Sequence, residues 1–400
     1  MSRNTEMLNR FNVFIIFSYI LLVFFLLPVE HQKIADIIFI YISLILLCLT
    51  WYFKEKNGQE VLFKRSDLLL LVFLVITYAL ILLISEYSVT YITSNLLFLI
   101  IIIYYFYRDN FRINEDRNSI FYICIYWIMC LSLLFQFYLR LRNNEGWYLI
   151  TTWDKNYSGV VLFLFFLYCD KNNYKLGKLI VLISTLFVGS RGFILMILSF
   201  YIIKAFKRIV FKIQNTFLFR KMFRVFIMML VFIYYFSLLW VNNISATNVK
   251  PYQEGINDTS NRMRFVANIK AFELIKENRS ILFYGYDNDL KKQLGIDSDD
   301  YSKHTRVAGV RLVQTHNSLL SIIIKMGILF SILYLLLVAR IIDKYYTKEN
   351  AEYIFPYLIN SMIMHSMLNT SLLLFWILIL HIPKKNVKLR LLLKQEKLSS

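Results

Sequence analysis

Long apolar runs recur from Phe11 to Ile382, separated by short polar connections, and nothing else in the chain constrains its fold so tightly. About 20 apolar residues wound as a helix cross the ~30 Å hydrocarbon layer of a bilayer, and a water-soluble core has no use for so much apolar length. With 58% hydrophobic residues and a mean hydropathy of +0.54, the chain reads as an all-α integral membrane protein. The runs place spans at about 11–28, 34–53, 67–85, 89–107, 119–139, 157–169, 178–190, 191–206, 225–241, 317–340, 353–366 and 370–382. That makes about 12 transmembrane helices with both termini on one side. The segments 157–169, 178–190 and 370–382 are short enough to be re-entrant or tilted half-spans. Phe11 to Leu27 follows Arg3 and Arg10 without a small-residue cleavage site, so it reads as the first span and not as a cleaved leader.

Charge orients the bundle. Lys and Arg number 45 against 26 Asp and Glu, a net +19, but the excess sits in short loops between spans and not in a nucleic-acid-binding face. Lys54, Lys56, Lys64 and Arg65, then Arg108, Arg112 and Arg117, then Lys171, Lys175 and Lys178, then the cluster from Lys204 to Arg224, all fall on one side. By the positive-inside rule that side is the cytoplasm. The four cysteines, Cys48, Cys124, Cys130 and Cys169, lie within or at the ends of apolar runs. They form neither a disulfide framework nor a zinc spacing, and read as packing residues.

One region departs from the pattern. Asn242 to Gln314 is polar, contains Pro251 and several glycines, and falls on the outer side. A connection of that length is expected to be functional. Asp258-Thr-Ser260 offers helix caps ahead of Phe265, Ile269, Phe272 and Ile275, which predicts an amphipathic helix over about 260–278. The organisation is therefore helices 1–9 over 1–241, an extracytoplasmic loop subdomain over 242–316, helices 10–12 over 317–382, and a basic cytoplasmic tail over 383–400.

Two polar outliers bear on chemistry. His316-Asn317 stands where the loop meets the tenth span, and Ser190-Arg191-Gly192 stands between two apolar runs, where an arginine is expensive unless it has a partner or a task. The same face holds Arg140, Arg142, Arg262, Arg264, Arg306 and Arg311. Guanidinium forks match phosphate oxygens, and beside a headgroup layer the anions at hand are lipid phosphates and diphosphates. An imidazole ionises near pH ~6.5 and so can accept a proton at neutral pH.

The order of these motifs resembles the O-antigen polymerase and O-antigen ligase superfamily, over roughly the half from Trp153 to Phe330. Trp153-Asp154-Lys-Asn156 is similar to that family's Asp/Asn-x-Asn opening of a span. Val188-Gly-Ser-Arg-Gly192 looks like its Ser-Arg-Gly hinge, and Arg264 with Ala271, Ile275 and Gly285 like its arginine-led loop helix. His316-Asn317 with Leu320 and Gly327 looks like its His-Asn signature. The resemblance implies a glycosyltransferase acting on undecaprenyl-diphosphate-linked oligosaccharides at the outer side of the cytoplasmic membrane. The transfer it implies is metal-independent and inverting, with no cofactor. Arg191 and Arg264 would hold the donor diphosphate and stabilise the leaving group, and His316 would take the proton of the acceptor hydroxyl. Arg262, Arg311, Asn317, Asp154 and Asn156 are the accompanying donor- and acceptor-binding candidates. Pathway partners would include a flippase and a chain-length regulator.

Plainer roles stand beside these. His316 suits an interfacial anchor, Arg191 a snorkelling side chain, and Asp154 and Asn156 helix caps. Arg262 and Arg264 compete for one role, and Arg311 suits a solvated loop charge. Lys325 lies about 12 Å along a helix from Asn317, where it either snorkels or faces a polar cavity. Ligation of a finished polymer to another acceptor uses the same donor as polymerisation. A lipid flippase or transporter satisfies the same hydropathy, although such folds usually show repeated halves and broken helices at the midplane.

Overall fold

The computed structural model describes residues 3–56, 120–143, 148–152, 155–210, 318–347, 350–363 and 370–383, with isolated positions between 69 and 105 and at 276, 279 and 283. Among these residues there is no strand, and nine α-helices follow one another. They are α1 Arg3–Leu21, α2 Gln32–Lys56, α3 Ile120–Arg142, α4 Lys155–Asn172, α5 Lys175–Val188, α6 Arg191–Val210, α7 Ser318–Tyr345, α8 Ala351–Ile363 and α9 Thr370–His381. Three helical stretches, Met7–Leu26, Val29–Thr50 and Ile120–Arg142, are long and apolar enough to cross a membrane. The expected spans at 67–85, 89–107 and 225–241, the helix at 260–278, the loop subdomain and the basic tail lie outside the described residues, apart from isolated positions.

Two helices have no outward face. Every residue of α4 from Ser158 to Asn172 is buried, and so is every residue of α9 from Thr370 to Leu380. They pack on each other, and aromatic rings fill the space around them. Phe25 meets Phe165 edge-on at 5.6 Å, Phe24 stacks on Phe375 at 5.6 Å, and Trp376 stacks on Tyr357 at 4.4 Å. At 12 residues, α9 is roughly 18 Å long and cannot cross a bilayer alone. It is a buried helix, in keeping with the sequence expectation that 370–382 is too short for a full crossing. The peripheral helices expose apolar stripes instead. On α2, Ile34, Ile37, Ile38, Tyr41 and Ile45 recur at helical spacing on one exposed face. Cys130 and Cys169 pack inside as expected, but Cys48 and Cys124 lie on such exposed faces and are not core residues.

The turn between α4 and α5 closes as a left-handed cap. Asn173 has φ 60°, the Tyr174 N–H donates to Cys169 O at 2.8 Å and the Asn173 N–H to Asp170 O at 3.2 Å. Just beyond it, Gly177 lets α5 approach closely. A Cβ there would fall 2.5 Å from Cys169 Sγ, and its N–H donates to the Tyr126 hydroxyl at 2.9 Å.

Charge is concentrated at this end of the bundle. Asp170, with 5% of its side chain exposed, accepts from Lys178 and Lys204 at 3.2 Å each and from the Tyr353 hydroxyl at 2.6 Å. Lys171 is 1% exposed. Its ammonium donates to Asn350 Oδ1 at 2.7 Å, Leu380 O at 3.1 Å and Ile382 O at 2.8 Å. It thereby caps the carbonyl end of α9, where a cation also meets the favourable end of the helix dipole. Pro356 interrupts the hydrogen-bond ladder of α8 nearby, and the Trp376 indole N–H donates to Tyr353 O at 2.9 Å.

Two irregularities were not legible in the sequence. The first helix ends in a π-helical turn, Leu22–Leu26. The expected continuous tenth span is broken inside α7, where Gly327 has φ 74° and ψ 167°. Positive φ favours glycine, so Gly327 serves as the joint between a short helix beginning at Ser318 and a longer one ending at Tyr345. Counting 1.5 Å per residue, the joint stands roughly 27 Å from the Tyr345 end.

Candidate functional site

The opposite end of the bundle carries the sequence candidates that the structure describes. α5 stops at Val188, Gly189 turns the chain with φ 60°, and Ser190 caps α6. The Ser190 hydroxyl accepts from the Phe193 N–H at 3.4 Å, and its carbonyl accepts from the Ile194 N–H at 3.1 Å. Arg191 and Gly192 are thus the first two residues of α6. Arg191 is exposed, whereas Ser190 is 1% exposed.

The head of α4 lies against this corner. The Ser190 hydroxyl also lies within hydrogen-bond distance of Asn156 Oδ1, at 3.4 Å. Gly159 makes the approach possible, since a Cβ there would come 2.8 Å from Phe193 Cβ and 3.0 Å from Ser190 Oγ. Asn156–Ser190 at one end and Asp170–Lys204 at the other are both pairs 34 residues apart, so α4 and α6 run in parallel and in register. The two pairs stand roughly 21 Å apart along the helices. α8 runs antiparallel to α6. Tyr353 meets Phe200 at 5.8 Å near the charged end, and Asn360 meets Gly192 at the Arg191 end.

The segment leading into α4 is held down by a polar layer. The π-turn leaves the carbonyls of Val23, Phe24 and Phe25 at a helix end, where no backbone donor follows. Side chains serve them instead. Gln32 Nε2 donates to Val23 O at 2.7 Å and to Thr151 O at 2.6 Å. The Thr151 hydroxyl donates to Phe24 O at 2.7 Å. The Ser132 hydroxyl and Gln136 Nε2 both donate to Phe25 O. Gln136 Oε1 accepts the Ile150 N–H and Ser158 Oγ the Leu149 N–H, each at 2.9 Å. Residues 149–151 therefore sit level with Gln136, roughly 9 Å below the Arg142 end of α3. Above them the Arg140 guanidinium lies 4.1 Å from the centre of the Tyr148 ring.

A second polar cluster joins α1, α2 and α9 at the same end. The Tyr19 hydroxyl donates to Asp36 Oδ1 at 2.6 Å, and lies 2.6 Å from the Ser371 hydroxyl, which then donates to it. Single-sequence reasoning missed this trio because its members are separated by up to 352 residues. An aspartate inside an apolar run was the signal that could have raised it.

Five of the described helices, α2, α4, α6, α7 and α9, begin at this end. Their own first turns hold no acidic residue, although Glu30 stands in the short turn Val29–His31 that leads into α2, and Lys33, Lys155 and Arg191 occupy first-turn positions. At the charged end, α8 carries Glu352 in its first turn, whereas α5 opens on Lys175 with no acidic residue. Helix N-termini carry partial positive charge, so a guanidinium in the first turn has the unfavourable sign by about 0.3–1 kcal/mol.

Of the residues named from sequence, the structure brings Asn156 and the Ser190-Arg191-Gly192 corner together. Asp154, Arg262, Arg264, Arg311, His316 and Asn317 lie outside the described residues. Among the described residues no group of three or more His, Cys, Asp or Glu is placed to hold a metal ion. Comparison with protein-family models, with curated proteins and with solved structures finds no match.

Proposed function

We propose that the protein is a multi-pass glycosyltransferase of the bacterial cytoplasmic membrane that polymerises undecaprenyl-diphosphate-linked oligosaccharide repeat units. The product would be a capsule, O-antigen or exopolysaccharide. In this reading about 12 helices make up the membrane domain, with the short α9 enclosed among the others, the Lys171 end faces the cytoplasm, and the Arg191 end faces outward beneath the loop 242–316. One observation carries it. Two sequence motifs separated in the chain, the opening of α4 at Asn156 and the corner Ser190-Arg191-Gly192, meet at a bundle end built of helix N-termini and cations.

The chemistry follows from those charges. A diphosphate leaving group develops negative charge as the glycosidic bond breaks, and a guanidinium beside helix N-termini stabilises that charge where water is scarce. Arg191 and Arg264 hold the donor diphosphate, and His316 accepts the proton of the attacking sugar hydroxyl. Charge neutralisation by arginine makes a divalent ion unnecessary. The polymer on one diphosphate carrier passes to a hydroxyl on the next unit, and the carrier diphosphate leaves.

Ligation to a different acceptor is the alternative within the same chemistry, and lipid transport is the alternative outside it. The helix break at Gly327 bears on the latter. It lies toward the Arg191 end and not at the midplane, and this supports a site at one face over a transport path. His316→Ala in cells separates the three. A polymerase loses polymer while single lipid-linked units accumulate outside. Units accumulating only on the cytoplasmic side would indicate a flippase, and polymer of normal length that never reaches its acceptor would indicate a ligase.

A further inference from the structure

Asn360 is the anomaly of the Arg191 end. It lies in α8, is 0% exposed, and neither its Oδ1 nor its Nδ2 has a hydrogen-bond partner among the described residues. An unsatisfied buried amide costs about 1–3 kcal/mol for each unpaired group, and native proteins seldom retain one without a reason. Its surroundings supply the reason. Oδ1 would lie 3.1 Å from a Cβ on Gly192, so the carboxamide rests directly against the backbone of the α6 head. The N–H of Gly192, in the first turn of α6, has no intrahelical acceptor, and Arg191 precedes it. Two features thus meet at one point: the first turn of α6, which Arg191 opens, and a buried carboxamide with neither polar atom hydrogen-bonded among the described residues.

We infer that Asn360 is a specificity-determining residue that binds hydroxyls of the sugar attached to the donor diphosphate. The inference rests on the reading of Arg191 as the diphosphate-binding residue. An ionised diphosphate offers acceptors only, so it would satisfy Nδ2 and leave Oδ1 unpaired. A sugar carries both donors and acceptors. Two neighbouring hydroxyls, one accepting from Nδ2 and one donating to Oδ1, match the spacing of a carboxamide and satisfy both atoms. The first sugar is bonded to the phosphate, so its hydroxyls lie within reach whenever the diphosphate sits at Arg191 and the Gly192 N–H. Gly192 carries no side chain to separate the two subsites. Because Asn360 is enclosed in this state, the heads of α6 and α8 must part slightly to admit the sugar.

The test uses the full-length protein in detergent with Asn360→Leu, which keeps the approximate volume and removes both polar groups. Binding is measured for farnesyl diphosphate and for farnesyl diphospho-glucose, -galactose and -N-acetylglucosamine. The wild type is expected to bind at least one sugar-bearing probe about tenfold more tightly than farnesyl diphosphate, the equivalent of one to two hydrogen bonds. Asn360→Leu is expected to abolish that difference, to leave farnesyl diphosphate binding unchanged, and to melt at the wild-type temperature or above. A variant that melts lower and keeps the full sugar preference would overturn the inference, because the amide would then be structural. Asn360→Gln supplies the second variant, and it should recover part of the preference. Wild-type binding of farnesyl diphosphate with no gain from any sugar would sink the Asn360 assignment alone, whereas failure to bind any diphosphate would sink the parent reading as well.

Discussion

Gly159→Ala tests whether the heads of α4 and α6 are in contact. The new methyl would stand 2.8 Å from Phe193 Cβ, 3.0 Å from Ser190 Oγ and 3.2 Å from Ser190 Cβ. Carbon atoms settle at about 3.5–4.0 Å, so the helices must separate by roughly 0.7–1.2 Å. Neither obstacle can swing aside, since Phe193 Cβ is fixed to its backbone and Ser190 is held by its cap to the Phe193 N–H. Overpacking of this kind costs about 1–3 kcal/mol, and the better helix propensity of alanine returns about 1 kcal/mol. The net loss should be about 1 kcal/mol. The Asn156–Ser190 contact, already 3.4 Å, would be lost as well. The assay is thermal unfolding in detergent together with farnesyl diphosphate binding. Gly159→Ala should lower Tm by roughly 1–3 °C and weaken binding. Gly189→Ala is the comparison. It has no atom within 4 Å to meet and only a φ of +60° to strain, so it should cost stability by about 1–2 kcal/mol while leaving Asn156 and Ser190 in place. A Gly159→Ala protein that melts above wild type, by the margin helix propensity alone provides, would refute the close approach on which the site is built.

Lys171→Met would strand Asn350 Oδ1 and the carbonyls of Leu380 and Ile382. Stability should fall by about 2–4 kcal/mol, and an unchanged unfolding curve would show that the lysine does not cap α9. Arg191→Lys replaces a bidentate fork with a point charge, so sugar transfer should drop by about tenfold or more with the loss of one charge-assisted hydrogen bond. Wild-type turnover in that variant would remove Arg191 from the site. Incubation with EDTA should leave the rate of transfer unchanged, and activity lost to the chelator and restored by a divalent cation would refute charge neutralisation by arginine.

Much of the helical layout can be read from hydropathy alone. Runs at 11–28, 34–53, 119–139 and 191–206 lie on α1 with its π-turn, α2, α3 and α6, because an apolar run of span length has few alternatives to a helix. What hydropathy does not carry is which helix faces which. α4 and α9 resemble their neighbours in composition, yet both are enclosed on every side. The π-turn leaves no mark in the sequence, and the break in α7 rests on one glycine whose positive φ is visible only in three dimensions. The candidate corner was legible through Arg191, since a guanidinium between apolar runs is anomalous on its face. Gly159 and Asn360 were not singled out, although an asparagine within the run 353–366 is itself costly in a membrane. Their meaning depends on Ser190 and Gly192, which reach them only through tertiary packing.

Reconstitution of the purified protein with a polyprenyl diphospho-oligosaccharide tests the central claim most directly, with released polyprenyl diphosphate and lengthened saccharide measured together. The wild type should release one carrier diphosphate for each glycosidic bond formed, and Arg191→Ala and His316→Ala should each abolish both products. Undiminished chain growth in Arg191→Ala, or carrier movement between leaflets with no new glycosidic bond in the wild type, would contradict it.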